Sequence, residues 1–330
     1  MQKVNVGIIG CGGRGRLYAK LSSYIPELHI RAYADIKEEV AKSCLNEYGG
    51  KYYTDDPERI FNDSHIDAVI IATWHNTHTD YAIKSAEAGK HIFIEKPLAL
   101  TVKECDKIGE AVEKAKVKLI VCFKMRFIPM IKKAKELIPN PILLVGQMMD
   151  NRWADEKWAQ KPKIGGGNVI SQGCHTADLL CYLAGSKPEV LYAEGGAITH
   201  KGSEIIDNVV GTVTFKNGTI ATIIQGDAGL NNFTSKFFIE IFAQDKGATL
   251  YNRCHDVTFW GIKPEHLTAE TYSEESKLDP EGDLGILKTF TKSIIKDKDP
   301  VPGWREGRIA TAMINGFFEA VKTGRPQKIM

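Results

Sequence analysis

The chain has 330 residues, 43% of them hydrophobic and 25% charged, a length and composition suited to two globular domains that each bury their own core. Lys and Arg number 43 against 41 Asp and Glu, a net charge of +2, which argues against a nucleic-acid or anionic-membrane partner held by bulk electrostatics. No apolar run approaches the span of a bilayer and no charged leader precedes one, so a cytoplasmic protein is expected.

Val4, Val6, Ile8 and Ile9 open the chain as a short β-branched run, the pattern of a strand buried on both faces of a parallel sheet. Gly10, Gly12 and Gly15 follow in the spacing G-x-G-x-x-G and lead into a helix. Each glycine has its own task there: a tight turn, close approach of backbone to a pyrophosphate, and close packing of helix on strand. The helix would aim its unpaired N–H groups and positive dipole end at that pyrophosphate, through the loop Gly10, Cys11, Gly12, Gly13 and Arg14. A second strand, residues 28–34, ends at Asp35, and the step 35 − 15 = 20 is the separation at which an acid grips the ribose diol. A carboxylate there repels a 2′-phosphate, so NAD rather than NADP is expected, with Ile36 beside it.

Residues 37–48 read as a helix closed by Gly49 and Gly50, Tyr52 and Tyr53 as a short strand, and Asp56-Pro57 as a helix start. A buried strand over 67–73 precedes a helix over 77–88, and residues 91–94 form the next strand. Thr101 with Glu104 makes a capping box, and 118–122 is a further strand. This alternation describes a Rossmann-type, doubly wound parallel sheet with ligands at the carboxyl ends of its strands, residues 1–122. Beyond it, 142–149 is strand-like and 173–183 helical, and 190–199, 209–215, 219–226 and 237–243 are consecutive strands with a hairpin signal at Asn217-Gly218. Residues 123–330 are therefore expected to form an α+β domain with a large, open, mostly antiparallel sheet, closed by helices over 283–296 and 304–322. A sheet face left uncovered there would suit a homo-oligomer.

Glu95-Lys96-Pro97 lies at the carboxyl end of a strand, where a nicotinamide should arrive. Proline holds Lys96 extended, and a lysine partly desolvated beside a positive ring should have a lowered pKa, suited to exchanging a proton with a substrate hydroxyl; a surface lysine ending a strand fits the position equally. A second cluster spans 165–178, where His175 and Asp178 share a helix face at i, i+3 and His175 could act as general base. A structural histidine near a helix start is the commoner fate of such a residue. Seven cysteines without a CxxC pair indicate reduced thiols, with no metal site; a nucleophilic Cys174 is disfavoured because neighbours on a helix do not face each other.

The first glycine motif, Ala72-Thr73 followed by His78, Ala88-Gly89-Lys90-His91, Glu95-Lys96-Pro97-Leu98-Ala99, Arg126-Phe127 and Gly173-x-His175-x-x-Asp178 together resemble the Gfo/Idh/MocA family, in order and over nearly the whole chain. The resemblance implies NAD held by the glycine loop, Asp35, Ile36, Thr73, Trp74, His78, Glu95 and Lys96, with a Rossmann domain followed by an open-sheet domain, in a homodimer or homotetramer. It also implies that Lys96 and His175 are catalytic and face a substrate carbinol, with Arg126, Trp153, Ser171 and Gln172 also on the substrate side. The chain departs from the family in Ser171, where many relatives carry aspartate, which weakens a His-centred relay and leaves Lys96 as principal acid–base group. It departs again in Trp74 and His75, where proline and asparagine are usual. Arg152, Trp153 and Trp158 would suit a sugar ring, though tryptophans so placed are as often plain core.

The expected activity is hydride transfer between NAD and a secondary hydroxyl or keto carbon of a sugar, sugar derivative or inositol-like polyol. Two other readings stay open: redox-neutral glycoside cleavage by transient oxidation and elimination, and a catalytically silent NAD-sensing regulator.

Overall fold

The computed structural model of the chain describes residues 3–231 and 235–329. It forms two compact units: one comprises the chain up to Cys122 with Leu284–Arg308, the other Phe123–Asp283 with the chain from Ile309 onward. Residues 284–308, expected in the second domain, thus belong to the first unit.

The first unit contains β1 (Val4–Ile9), α1 (Gly13–Ser22), β2 (Leu28–Ala34), α2 (Glu38–Tyr48), β3 (Tyr52–Thr54), α3 (Glu58–Phe61), β4 (Ala68–Ile71), α4 (His78–Glu87), β5 (His91–Ile94), α5 (Val102–Ala115) and β6 (Leu119–Val121). Its strands are all parallel, in the order β3-β2-β1-β4-β5-β6. Val6, Ile8 and all four residues of β4 are wholly buried, which explains their unbroken apolar run. The chain winds outward from β1 in one direction and then restarts on its other side at β4, so the loops after β1 and β4 diverge and leave a crevice at the strands' carboxyl ends. Local signals set the helix starts: Thr101 and Glu104 form the expected capping box of α5. Asp56 caps α3 by accepting from Glu58 N at 3.0 Å.

The second unit continues with α6 (Pro129–Leu137), β7 (Leu143–Asn151), α7 (Asn168–Ala184), β8 (Pro188–Gly196), β9 (Asn208–Phe215), β10 (Ile220–Gly229), β11 (Phe237–Ala243), β12 (Lys246–Tyr251), β13 (Asp256–Trp260), β14 (His266–Thr268), α8 (Ala269–Tyr272) and α9 (Glu274–Leu278). After them come α10 (Asp283–Ile295), α11 (Trp304–Thr323) and β15 (Gln327–Lys328). The sheet order is β14-β13-β12-β11-β7-β10-β9-β8-β15. Every neighbouring pair is antiparallel except β7 and β10, which run parallel because the chain leaves β7 through α7 before returning. β12 to β14 were not among the expected elements. The Asn217-Gly218 turn joins β9 to β10, with Gly218 at φ +86°.

α7 starts at Asn168 rather than at Gly173. The break falls at Gly167, which sits at φ +93°, whereas Gly173 lies inside the helix. A Cβ on Gly173 would come within 3.0 Å of the Gln225 side chain and 3.1 Å of Ile314. Its role is close packing rather than helix initiation. In the first unit, α10 sets Phe290 edge-on to Phe93, with ring centroids 5.7 Å apart, and the Pro302 carbonyl accepts from Val121 N at 3.0 Å on the outer side of β6.

Candidate functional site

In the first unit a cleft of about 400 Å³, within the range of small-molecule sites, is lined by Gly10, Gly12, Asp35, Ile36, Thr73 and Trp74 among others. The three motif glycines answer to three different constraints. At Gly10, φ is +90° and a Cβ would lie 2.5 Å from the Ala72 carbonyl oxygen; at Gly15 it would lie 2.0 Å from the Gly10 oxygen. At Gly12 a Cβ would meet no protein atom within 4 Å and would project into open space. Gly12 is thus glycine not for the protein's packing but for something that comes up against it, which is what a pyrophosphate requires. Gly12 also supplies no side-chain cap to α1, leaving first-turn N–H groups for an anion.

Asp35 is held for its task by backbone: Oδ2 accepts from Cys11 N at 2.8 Å and Oδ1 from Lys37 N at 3.0 Å. A carboxylate offers about four acceptor positions, so room remains for a ribose diol. Cys11, expected at the cofactor, turns its thiol into the core and gives its N–H to Asp35, so it orients the acid; burial, foremost, pushes the thiol pKa up. Ile36 is exposed at the rim, as is Trp74. Thr77 donates its hydroxyl to Trp74 O at 2.8 Å and lies 2.7 Å from the Thr73 hydroxyl, which tightens the loop after β4. Asn76 and Tyr81, which sequence reasoning missed, also line the cleft. Their place just past the carboxyl end of a recognised strand was the available signal.

Glu95 and His78, both expected to touch the cofactor, are buried and engage groups of the protein itself. Glu95 is 6% exposed and receives Arg14 Nε and the Tyr18 hydroxyl. Burial pushes its carboxyl up, but the charges of Arg14 and Lys96 and the hydrogen bonds from Tyr18 and Arg14 outweigh this and hold it well below the usual carboxylate range. Its second oxygen accepts from Lys96 N at 3.2 Å. His78 is wholly buried, which lowers its affinity for a proton. Nδ1 lies 2.8 Å from Pro97 O and Nε2 3.4 Å from Thr73 O, so the shorter contact assigns the ring proton to Nδ1. Half-buried Lys96 is therefore clamped on both sides, by Glu95 before it and by His78 acting on the residue after it.

In the second unit, Ser171, Gln172 and His175 share one turn of α7; Ser171 and His175 are buried and Gln172 half-buried. The Phe123 ring stands edge-on to His175 at 6.2 Å. The helix's other side is tied to the sheet: Thr176 donates to Gln225 Oε1 at 3.2 Å, and Gln225 Nε2 donates to Asn168 at 3.0 Å. Two expected substrate residues are otherwise engaged. Arg126 forms a two-pronged pair with Asp178, Nε to Oδ2 at 2.7 Å and a terminal nitrogen to Oδ1 at 2.6 Å, with both side chains buried or nearly so. Trp153 is 7% exposed, gives its indole N–H to Asp150 at 3.0 Å and carries Lys157 Nζ 3.5 Å from its ring centroid, so it anchors the segment after β7.

A doubly wound sheet whose glycine loop and acid flank one cleft defines a dinucleotide-binding protein. Family comparison refines this: residues 4–123 match the oxidoreductase family with NAD-binding Rossmann fold, and residues 137–234 match the Gfo/Idh/MocA C-terminal domain. The chain belongs to the Gfo/Idh/MocA family of NAD-dependent oxidoreductases. It is 30% identical to the uncharacterized oxidoreductase YrbE of Bacillus subtilis over 76% of this chain and 74% of that one. It is 26% identical to myo-inositol 2-dehydrogenase of Thermotoga maritima over 99% of this chain and 98% of the relative. The fold superposes on levoglucosan dehydrogenase in complex with NADH with a TM-score of 0.88, at 21% identity and full coverage of both chains.

Proposed function

We propose that the protein oxidises a secondary hydroxyl of an inositol-like polyol or sugar, or reduces the matching ketone, with Lys96 as the principal acid–base group and His175 assisting. The observation that supports this is the hold on Lys96: Glu95 accepts from its backbone N–H, and the neutral His78 ring gives its one proton to the carbonyl of the next residue. The backbone of Lys96 is thereby fixed just past the carboxyl end of β5, in the unit that receives the cofactor. NAD, when bound, supplies the hydride exchange with the carbinol carbon. Lys96 holds and moves the proton at the carbinol oxygen, and Glu95 fixes the backbone from which it does so. Ser171 adds no charge beside His175, which leaves the burden on Lys96. Similarity along its whole length to a myo-inositol 2-dehydrogenase favours a polyol substrate.

The test is a panel of inositols and sugars with NAD and with NADP, read at the absorbance of reduced nicotinamide, on wild type and Lys96→Ala. Turnover with NAD, lost in the variant while NADH binding persists, is the expected result. Unchanged turnover in Lys96→Ala would remove the assignment. We further propose a cytoplasmic homodimer or homotetramer, built on the sheet face where Leu143, Val210 and Ile220 remain exposed at 39%, 54% and 47%. Light scattering at micromolar concentration showing a monomer would remove that proposal.

A further inference from the structure

We propose that His200 is a positioning residue for the substrate. Seated between the carboxylates of Asp155 and Asp227, it fastens the segment 152–160 and, through it, the start of α7 that carries Ser171, Gln172 and His175. The inference rests on the reading that this face of α7 meets the polyol.

The β8–β9 loop presents His200 by means of a buried acid. Asp207, wholly buried, accepts from Ile198 N at 2.8 Å, Thr199 N at 3.2 Å, His200 N at 2.7 Å and the Asn208 amide at 2.7 Å. So held, His200 places Nδ1 2.6 Å from Asp155 Oδ1 and Nε2 2.7 Å from Asp227 Oδ2. Ionised carboxylates only accept, so both contacts are hydrogen bonds only when the ring carries both protons. From the segment after β7 Arg152 also faces the ring and the Gln160 amide lies 2.8 Å from Nε2, a contact that suits the doubly protonated ring when the amide turns its otherwise unpartnered oxygen toward it; Lys201 follows in the loop. Burial works against the imidazolium; hydrogen bonds to Asp227 and Asp155 outweigh it and, with Asp227's charge, raise the proton affinity despite the opposing charge of Arg152.

The fastening reaches α7 without slack. Asp227 Oδ2 also accepts from Trp153 N at 3.1 Å. Further along, Gly167 N donates to Ala159 O at 2.8 Å. A Cβ on Gly165 would stand 2.2 Å from Ala159 Cα, and one on Gly167 2.2 Å from Ile205, a residue of the same loop as His200. Those glycines are the last residues before α7 begins at Asn168. When the ring loses a proton, one carboxylate loses its donor and faces a lone pair instead; the segment loosens and the helix start with it, while the dinucleotide cleft in the other unit keeps its own supports.

The experiment uses the full chain and compares wild type, His200→Gln, Asp155→Asn and Asp155→Glu. KM for the polyol, kcat and the NADH dissociation constant are measured across pH, and hydrogen exchange is followed in the peptide covering 152–167. We expect the wild-type KM to rise on the alkaline side while NADH affinity stays level. His200→Gln should raise KM on the order of tenfold, without that pH dependence and with faster exchange in 152–167. Asp155 is largely exposed, so Asp155→Asn keeps the fold. Having one anion fewer, it should move the KM rise to lower pH, and Asp155→Glu should restore it. A His200→Gln enzyme with wild-type KM and exchange, or an Asp155→Asn enzyme whose KM limb does not move, would overturn the proposal. If no polyol is turned over by wild type, exchange still decides: faster exchange in His200→Gln supports the fastening and counts against the proposed activity alone, and unchanged exchange overturns the fastening itself.

Discussion

Two alanine substitutions, three residues apart, should separate what the glycine loop does for the protein from what it does for its cofactor. In Gly12→Ala the new methyl meets no heavy atom within 4 Å, and φ is −73°, an ordinary value for any residue. The cost to the unbound protein is confined to a poorer helix cap, less than about 1 kcal/mol. For a pyrophosphate lying against that position, the same methyl is an overpacked contact worth about 1–3 kcal/mol, which weakens NADH binding by about 5- to 150-fold. In Gly15→Ala the methyl would lie 2.0 Å from the Gly10 oxygen, far inside the optimum of about 3.5 Å for non-bonded contact. There the strain falls on the apoprotein, about 1–3 kcal/mol or more. Thermal melting of the unbound variants gives the stability term and NADH fluorescence titration gives the affinity. A Gly12→Ala protein that binds NADH as wild type does, or a Gly15→Ala protein that melts with wild type, would refute the division of labour drawn here.

Glu95→Gln should destabilise the protein at neutral pH by on the order of 1–3 kcal/mol, discounted for the partial exposure of Arg14. Because the folded carboxyl is held below its ordinary value of 4.5, Glu95's contribution is whole above that pH and declines as pH falls beneath it. The variant should therefore also show a shallower acid loss in urea melts at stepped pH; an equal acid slope would count against the buried pair. Asp178→Asn removes the charge paired with Arg126 in a nearly buried site and should cost about 3–5 kcal/mol, whereas Arg126→Met with Asp178→Leu should recover most of it. Equal urea midpoints for Asp178→Asn and wild type would show that the pair carries no such burden.

What the sequence revealed follows from the range of the forces involved. The glycine motif, the acid at Asp35 and the box at Thr101 and Glu104 are demands of local backbone geometry, and they stand at the expected positions. The Arg126–Asp178 pair was not legible, because its members lie 52 residues apart and no local pattern announces such a partner. The bonds of Trp153 went unread for a different reason: its indole partner Asp150 and the Lys157 cation over its face lie only three and four residues away, in an irregular segment whose spacing marks neither. Gly173 resembled a helix start and is instead a packing contact with β10, a tertiary cause for a residue that usually signals a local one. His200 passed unnoticed altogether: its two carboxylates lie 45 and 27 residues off, on opposite sides in the sequence.

The return of Leu284–Arg308 to the first unit also bears on how the protein is made. Until those residues are synthesised, β6 lacks the Pro302 carbonyl that meets its outer N–H, and Gly109 on α5 lacks the Trp304 ring that would lie 2.6 Å from a Cβ there. The nucleotide-binding half begins first on the ribosome yet is completed late, after the sheet of the other half has been translated. A fragment cut at residue 122 should consequently be poorly soluble, because an unsheathed parallel edge invites pairing with other chains.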